Sequence, residues 1–299
     1  MSHHELSSIM KMLKDFTWGN TPDEMRRHFR EGFSLPSHPT AKIQPVHTNG
    51  VAAELISMPS ATPEQVILYL HGGGFAVGSC ETHRRIACDM AEASVCDVLL
   101  IDYRLAPEHP FPAALKDTLS AYHWLIDTRG YQPGQVAIVG DSAGGNLALT
   151  MMLSLKAAGA ALPSSAVLIS PYTDLARTGK TINTHADLDP MVSPQLLETI
   201  TAWYTSCEQL RHPLVSPLYA NLSGLPPLLI QVGATELLLD DALQLSRQVG
   251  LANVAVELKV WQNMIHCFQL FAPILTEGRQ AISEASDFLN RHFQQPESS

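Results

Sequence analysis

The stretch QVAIVGDSAGGN, residues 135–146, places a predicted strand, a turn and a helix in immediate succession. Residues 136–139 are apolar and mostly β-branched, and Gly140 follows at once, a pattern typical of a buried strand in a parallel sheet. From Leu147 onward the chain is rich in helix formers. Between the two lies a G-x-S-x-G sequence, residues 140–144. A serine on such a strand–turn–helix connection is held clear of the sheet, so Ser142 is a candidate nucleophile.

The composition is that of an ordinary globular protein, because 45% of the 299 residues are hydrophobic and 16% are charged. The formal net charge of −10 disfavours nucleic acid and anionic membranes as partners. No stretch has the length of a membrane span, and the N-terminus lacks the apolar segment of a signal peptide. The five cysteines form no C-x-x-C pair and indicate reduced thiols. We therefore expect a cytoplasmic protein without stable membrane insertion.

Short apolar segments alternate with stretches long enough for helices. Asn49-Gly50 lies between residues 42–47 and 51–58 and predicts an antiparallel hairpin at one edge of a sheet. Further strands are predicted at residues 65–70, 98–102, 136–140, 166–170, 228–232 and 254–260. This alternation predicts an α/β fold, with about eight strands in a mostly parallel sheet and helices on both faces.

Two helical regions stand outside this alternation. Residues 1–35 have apolar residues at helical spacing, and the long stretch before strand 228–232 carries an apolar helical segment. We interpret residues 1–40 as the N-terminal part of a helical cap. The catalytic domain is then residues 41–299, with a second piece of cap inserted at about 177–213. A lid over an active site is the functional interpretation, and structural cover of the core is the alternative.

A second glycine-rich segment, HGGGF (71–75), directly follows a predicted strand. Its spacing excludes a nucleotide-binding loop, since no G-K-[ST] follows and Val77 stands where G-x-G-x-x-G requires its last glycine. We interpret the segment as an oxyanion loop, in which the amides of Gly73 and Gly74 join that of Ala143 at one oxygen. A glycine-rich turn needed for tight packing is the alternative.

A serine nucleophile needs a base. Of the 13 histidines, His266 lies in a loop just after the last predicted strand. In open α/β sheets the loops at the carboxyl ends of the strands form the site, and Ser142 lies at those ends too. His266 is therefore the predicted base.

The acid that orients the base should lie between Ser142 and His266 in the chain. Four carboxylates compete for this role: Asp174, Glu236, Asp240 and Asp241. Asp240 and Asp241 open a predicted helix, where capping its first amides is a structural alternative. Glu236 follows strand 228–232 closely and lies beside two leucines, where a carboxylate needs a partner. Glu236 is the predicted acid.

Five segments together resemble the hormone-sensitive-lipase family of α/β-hydrolases: HGGGF (71–75), DYRLAPEHPFP (102–112), GDSAGGN (140–146), SPYTDL (170–175) and NMIHCF (263–268). The resemblance implies an α/β-hydrolase fold with a helical cap and serine carboxylesterase activity. It also implies the site residues, with Ser142 as nucleophile, His266 as base, an acid near residue 236, and an oxyanion hole from Gly73, Gly74 and Ala143. Where relatives often have an Asp-Pro-Leu-like segment, this chain has Glu236-Leu237-Leu238.

The implied reaction is hydrolysis of a small-molecule ester with a short or medium acyl chain, through an acyl-enzyme intermediate and without a metal or cofactor. An amidase or deacetylase of the same mechanism is a close alternative. The alternative from another class is a binding protein like the plant gibberellin receptors, which resemble this family and lack the catalytic histidine. This chain has a histidine at that position, His266, which argues against a protein that only binds its ligand. Members of the family it resembles often form dimers that pair through the last strand of the sheet. The resemblance therefore also implies a homodimer.

Overall fold

A single eight-stranded sheet forms the middle of the computed structural model, which describes residues 3–293. The strands are β1 (Lys42–Thr48), β2 (Val51–Ser57), β3 (Thr62–Leu70), β4 (Cys96–Asp102), β5 (Val136–Asp141), β6 (Ala166–Ile169), β7 (Leu228–Gly233) and β8 (Val256–Trp261). Their order across the sheet is β1-β2-β4-β3-β5-β6-β7-β8. Only the pairs β1–β2 and β2–β4 are antiparallel in this sheet. The predicted α/β fold and its edge hairpin are confirmed.

The α-helices of the described range connect the strands or precede them. They are α1 (His3–Asp15), α2 (Pro22–Phe33), α3 (Cys80–Ser94), α4 (Ala113–His123), α5 (Ala143–Ala157), α6 (Thr181–Thr184), α7 (Pro194–Tyr204), α8 (Leu239–Leu251) and α9 (Thr276–His292). The Thr21 hydroxyl accepts a hydrogen bond from the Glu24 amide at 3.2 Å, which caps α2 at its start. None of the described helices combines the length and the apolar character needed to cross a membrane.

The central strands explain where functional side chains collect. Every residue of β5 and β7 is buried, as expected for strands covered by helices on both faces. Strands β3, β5, β6, β7 and β8 run parallel, so their carboxyl ends meet at one edge of the sheet. The loops after them carry residues 71–75, Ser142, Ser170, Glu236 and His266. The topology therefore brings these side chains to one region.

The N-terminal segment packs on this edge of the sheet. Met25, Phe29 and Phe33 on one face of α2 are buried. The Trp18 indole, between α1 and α2, donates a hydrogen bond to the Met191 carbonyl at 2.9 Å. Because Met191 lies between α6 and α7, the N-terminal segment and the 177–213 segment contact each other directly.

Candidate active site

Ser142 connects β5 to α5 in a strained backbone conformation, with φ 53° and ψ −116°. The Ser142 amide donates to the Ile169 carbonyl at 2.8 Å, and the Tyr172 amide donates to the Ser142 carbonyl at 3.1 Å. A non-glycine residue keeps a positive φ only where its surroundings enforce it, and such residues cluster at functional sites. The end of β6 and the loop after it supply that constraint here. Ser142 lines an apolar cleft.

The glycines on both sides of Ser142 are required by close packing. A Cβ on Gly144 would overlap the carbonyl of Leu70 at the end of β3, and a Cβ on Gly140 would overlap the backbone of Gly144. Any side chain at either position would push the first turn of α5 away from the sheet. The turn at Ser142 is sharp because both positions lack a side chain.

His266 and Glu236 form a buried pair on the same side of the sheet. The distance from His266 Nδ1 to Glu236 Oε2 is 2.8 Å, and the Glu236 side chain is fully buried. The other carboxylate oxygen, Oε1, accepts a hydrogen bond from the Ser170 hydroxyl at 2.8 Å and another from the Gly233 amide. Both oxygens of Glu236 therefore have partners, and the carboxylate is held in one orientation. His266 lines the same cleft as Ser142.

The surroundings of His266 favour its protonated form. Burial acts to lower the pKa of His266, but the hydrogen bond to the Glu236 carboxylate outweighs burial and raises the pKa above the ordinary value of 6.5. Burial also raises the pKa of Cys267 to about 12, so this thiol is neutral near pH 7. The acidic group that acts on His266 is therefore Glu236, which is hydrogen-bonded to its Nδ1. It stabilises the imidazolium that a histidine base becomes when it accepts a proton.

The three competing carboxylates bind backbone amides elsewhere. Asp174 accepts from the Ala176 and Thr178 amides, as expected of a turn residue. Asp240 accepts from the Lys180 amide at 2.7 Å. Asp241 accepts from the Thr173 and Asp174 amides, and burial raises its pKa to about 8. A carboxyl group with that pKa is mostly protonated near pH 7, unlike an ordinary aspartate.

Asp240 and Asp241 do not cap their own helix, which was the structural alternative to a catalytic role. Helix α8 begins at Leu239, so Leu238 occupies the N-cap position and makes no side-chain cap. Both aspartates lie within the first helical turn, and their side chains bind amides of the preceding 173–180 segment instead. They hold α8 against that segment.

The HGGG segment forms a tight turn at the wall of the cleft. Gly73 has φ 109°, and a Cβ there would overlap the Val77 carbonyl. The Ala76 and Val77 amides donate to the Gly73 carbonyl at 3.1 and 3.0 Å. Gly73 and Gly74 line the cleft, and Ala143 is buried beside Ser142 at the start of α5. Within the described part of the chain, the amides of Gly73, Gly74 and Ala143 donate to no protein acceptor.

His71 and Tyr103 anchor this turn to the sheet. The Tyr103 hydroxyl donates to the His71 carbonyl at 2.7 Å, and the two rings stack with centroids 4.1 Å apart. Burial, assisted by His83, lowers the pKa of His71 to about 4, so the ring is neutral near pH 7. Its Nδ1 lies 2.7 Å from the Gly72 carbonyl and donates to it. A buried neutral ring thus fixes the glycine backbone.

The cleft is almost free of charge. Its walls include Trp18, Met25 and Phe29 from the N-terminal segment, and Met191 and Ile200 from the 177–213 segment. Among the described lining residues, Asp141 and His266 are the only ones of the Asp, Glu, His, Lys and Arg types. The cleft therefore suits an uncharged, largely apolar ligand whose polar group lies at Ser142 and His266.

Comparison with known proteins identifies the family. The sequence profile of the α/β-hydrolase fold matches residues 67–270, more than half of the chain. A crystal structure of an esterase from the bacterial hormone-sensitive lipase family superposes with a TM-score of 0.95 at 43% identity, covering 98% of this chain and 100% of that one. The chain belongs to the hormone-sensitive lipase family of α/β-hydrolases. The predicted resemblance is thereby confirmed.

Other relatives of this hydrolase support the same class of activity. An acetyl-hydrolase from Streptomyces hygroscopicus is 41% identical over 231 residues, which are 77% of each chain. An esterase from Acinetobacter venetianus is 38% identical over 255 residues, 85% of this chain and 84% of the relative. With these relatives and the family, the protein is a serine carboxylesterase. The predicted enzyme class is confirmed.

Two residues that support the site of this esterase escaped sequence reasoning. The Ser170 hydroxyl donates a hydrogen bond to Glu236 and accepts one from the Cys267 amide at 3.2 Å. Ser170 therefore links Glu236 to the loop that carries His266. The position of Ser170 directly after β6, at the same edge of the sheet as Ser142, is the sequence feature that could have indicated this role. Asp189 is buried and accepts from the Met191 amide through Oδ1 and from the Leu237 amide through Oδ2. It joins the 177–213 segment to the acid loop, and no local pattern indicates it.

Proposed function

We propose that Ser142, His266 and Glu236 are the catalytic triad of this esterase, which hydrolyses carboxylic esters with short and medium acyl chains. The observation that carries the proposal is the buried 2.8 Å hydrogen bond between His266 and Glu236 at the cleft that Ser142 lines. Glu236 holds the His266 ring with Nδ1 towards itself, which leaves Nε2 as the base for a serine hydroxyl.

In the proposed reaction, Ser142 Oγ attacks the ester carbonyl while His266 takes the hydroxyl proton. The tetrahedral intermediate collapses as His266 donates that proton to the leaving alcohol, and the acyl group stays on Ser142. Water then attacks the acyl-enzyme while His266 takes a proton from it, and the second tetrahedral intermediate releases the carboxylic acid as His266 returns that proton to Ser142 Oγ. Glu236 stays ionised and stabilises the imidazolium in both halves of the cycle.

The amides of Gly73, Gly74 and Ala143 are the proposed oxyanion hole. They belong to the cleft wall and to the start of α5, and none donates to another group of the described chain. Free donors near the nucleophile are what a developing negative charge requires, and removing one such donor typically costs a few kcal/mol. The N-terminal end of the α5 dipole adds a favourable positive potential.

The substrate class follows from the cleft. Its apolar walls favour an uncharged acyl chain, and the name of the Streptomyces relative, acetyl-hydrolase, supports small acyl groups. We expect p-nitrophenyl acetate, butyrate and octanoate to be hydrolysed with kcat/KM above that of hexadecanoate, measured by p-nitrophenol release. p-Nitroacetanilide, the matched amide of the acetate, should react at least about 100-fold more slowly, since a hydrolase discriminates by differential binding of transition states. Faster amide than ester cleavage would favour the amidase alternative.

Residues 1–40 and about 177–213 are the proposed cap over this site. The Trp18–Met191 hydrogen bond and the shared lining of the cleft support the assignment. Arg26 fastens the N-terminal part to the catalytic domain. Its guanidinium donates to the Ala76 carbonyl at 2.9 Å and to the Ala106 carbonyl at 2.8 Å, and pairs with Glu108 at 2.6 Å. Ala76 follows the HGGG turn, so Arg26 connects cap helix and oxyanion loop.

Arg26→Met is expected to raise KM for p-nitrophenyl octanoate about tenfold, the factor for roughly 1.4 kcal/mol of lost charged hydrogen bonding. The reason is that α2 then holds Met25 and Phe29 less firmly against the cleft. The preference for octanoate over acetate should fall with it. Arg27→Met on the exposed side of α2 is the matched control and should leave KM unchanged. An unaltered KM and chain preference in folded Arg26→Met would count against the cap.

A homodimer paired through β8 is the proposed assembly. β8 is an outer strand of the described sheet, and Val260 on it is exposed. An unpaired edge of this kind is a template for strand addition by a second copy. Light scattering should give about twice the chain mass of 32.6 kDa. A monomer at micromolar concentration would contradict the pairing.

A cytoplasmic location is also proposed, on the state of the thiols. All five cysteines are free, and Cys80, Cys88, Cys96 and Cys267 are buried. Free thiols persist in reducing compartments, whereas oxidising ones favour disulfides. Fractionation of cells that express the protein from its own gene tests the location, and recovery outside the cytoplasm would overturn it.

A further inference from the structure

A second apolar pocket lies beside the catalytic cleft, and Leu270 lines both. Its lining includes Met12 on α1, Phe33 at the end of α2, Ile86 on α3, and Phe271 and Ile274. Met12 and Ile274 are 41% and 51% exposed. The pocket therefore opens to solvent and offers apolar surface to a ligand.

Leu270 separates this second pocket from the catalytic cleft. It lies four positions after His266, is 8% exposed, and lines both spaces. Among the described residues, no other side chain lines both. Leu270 is thus the shared wall between the space at Ser142 and the space at the surface.

A row of aromatic rings runs past this wall from one space to the other. Trp18 and Phe29 line the cleft and stack with centroids 5.6 Å apart, and Phe29 stacks on Phe33 at 4.6 Å. Phe33 and Phe271 line the second pocket, with ring centroids 6.0 Å apart. Apolar rings in mutual contact therefore extend from the cleft wall to the second pocket.

We infer that Leu270 limits the length of the alkyl chain that the cleft accepts, and that the second pocket is a latent site for the chain beyond that limit. The assignment rests on the esterase function proposed above. A linear alkyl chain is the fitting ligand, because the polar side chains of the second pocket already have partners. Arg85 pairs with Asp89 at 2.9 Å, and the Thr82 hydroxyl donates to the Ser79 carbonyl at 3.0 Å.

Leu270→Ala should join the two spaces and extend the substrate range. The expected result is a rise of about tenfold or more in the ratio of kcat/KM for a twelve-carbon chain to that for a four-carbon chain, since each methylene in an apolar pocket contributes at least that order. The ratio is measured with p-nitrophenyl alkanoates and separately with alkyl acetates. A rise in either series supports the partition and identifies the acyl or the alcohol chain as the occupant.

Leu196→Ala is the matched control, because Leu196 lines the cleft and not the second pocket. It should leave the ratio unchanged or lower it. Leu270→Val removes less volume and should raise the ratio less, and it serves as the test where Leu270→Ala is too unstable to purify. A crystal structure of Leu270→Ala with a dodecyl phosphonate on Ser142 should have the chain end between Phe33 and Phe271.

An unchanged ratio in both series, with Leu270→Ala folded and active on butyrate, would overturn the inference and leave the esterase function intact. A rise with Leu196→Ala equal to that with Leu270→Ala would also overturn it, because simple enlargement of the cleft would then explain the gain. Absence of all ester turnover in the wild type is the distinct outcome that sinks the proposed function itself.

Discussion

Ser142→Ala should fold as the wild type does and lose about 10⁶-fold in kcat on p-nitrophenyl butyrate, the scale of nucleophile removal in a serine hydrolase. The cause is loss of the covalent route, which leaves only the binding and oxyanion groups of the cleft. Initial rates of p-nitrophenol release measure the effect, with thermal melting as the check on folding. Since Ala143 and the cleft remain in place, the variant should still bind substrate.

Ser154→Ala is the matched control for this loss. Ser154 lies on the same helix, α5, and its hydroxyl donates to the Thr150 carbonyl at 2.7 Å, away from the cleft lining. Its activity should equal that of the wild type. A Ser142→Ala protein that retains a tenth of wild-type kcat, with contaminating esterase excluded, would show that another group is the nucleophile.

Glu236→Gln should lower kcat about 10⁴-fold, as an amide at the orienting acid does in a serine protease triad. The amide can donate to His266 Nδ1 and so stabilise the tautomer that puts the proton on Nε2, where a base needs a free lone pair. Asp240→Asn is the control, since Asp240 binds the Lys180 amide and not His266. It should keep nearly full activity and lose about 1 kcal/mol of stability. The reverse ranking would move the acid to Asp240.

The pH profile separates this electrostatic role of Glu236 from a structural one. His266 acts as a base only when neutral, and its pKa is raised above 6.5 in part by Glu236. Wild-type kcat/KM should therefore fall as the pH drops through that raised pKa, on the alkaline side of 6.5. Removal of the negative charge lowers the pKa of His266, so the acid limb of the residual Glu236→Gln activity should move to lower pH. An unmoved limb would mean that Glu236 does not interact with the base.

The parts of the fold that sequence reasoning predicted are those with short-range causes. The turn at residues 140–144 needs glycine at positions 140 and 144, because the backbone packs too closely there for a side chain. These glycines are close in the sequence to the serine that they flank, so the motif can be recognised locally. The eight strands follow from apolar runs punctuated by turn residues. Topology then brings Ser142, Glu236 and His266 to one edge, because parallel strands end on the same side.

The parts that escaped prediction depend on distant contacts. The Ser170–Glu236 bond spans 66 positions and the Arg26–Ala106 bond spans 80, so no local pattern encodes either pair. The contacts of Asp240 and Asp241 also depend on a distant segment. Their position in the first turn of α8 suggested capping, but the 173–180 segment supplies nearer amides from across the fold. The position of Leu270 between the cleft and the second pocket likewise becomes visible only in the folded structure.

Labelling with a serine-directed phosphonate, followed by peptide mass spectrometry, tests the central claim most directly. The wild type should take up one phosphonyl group on the peptide that contains Ser142, in step with loss of ester hydrolysis, and Ser142→Ala should take up none. His266→Ala should react far more slowly, because the serine then lacks its base. An active enzyme that is labelled at a different serine, or that keeps its activity after Ser142 is labelled, would contradict the account.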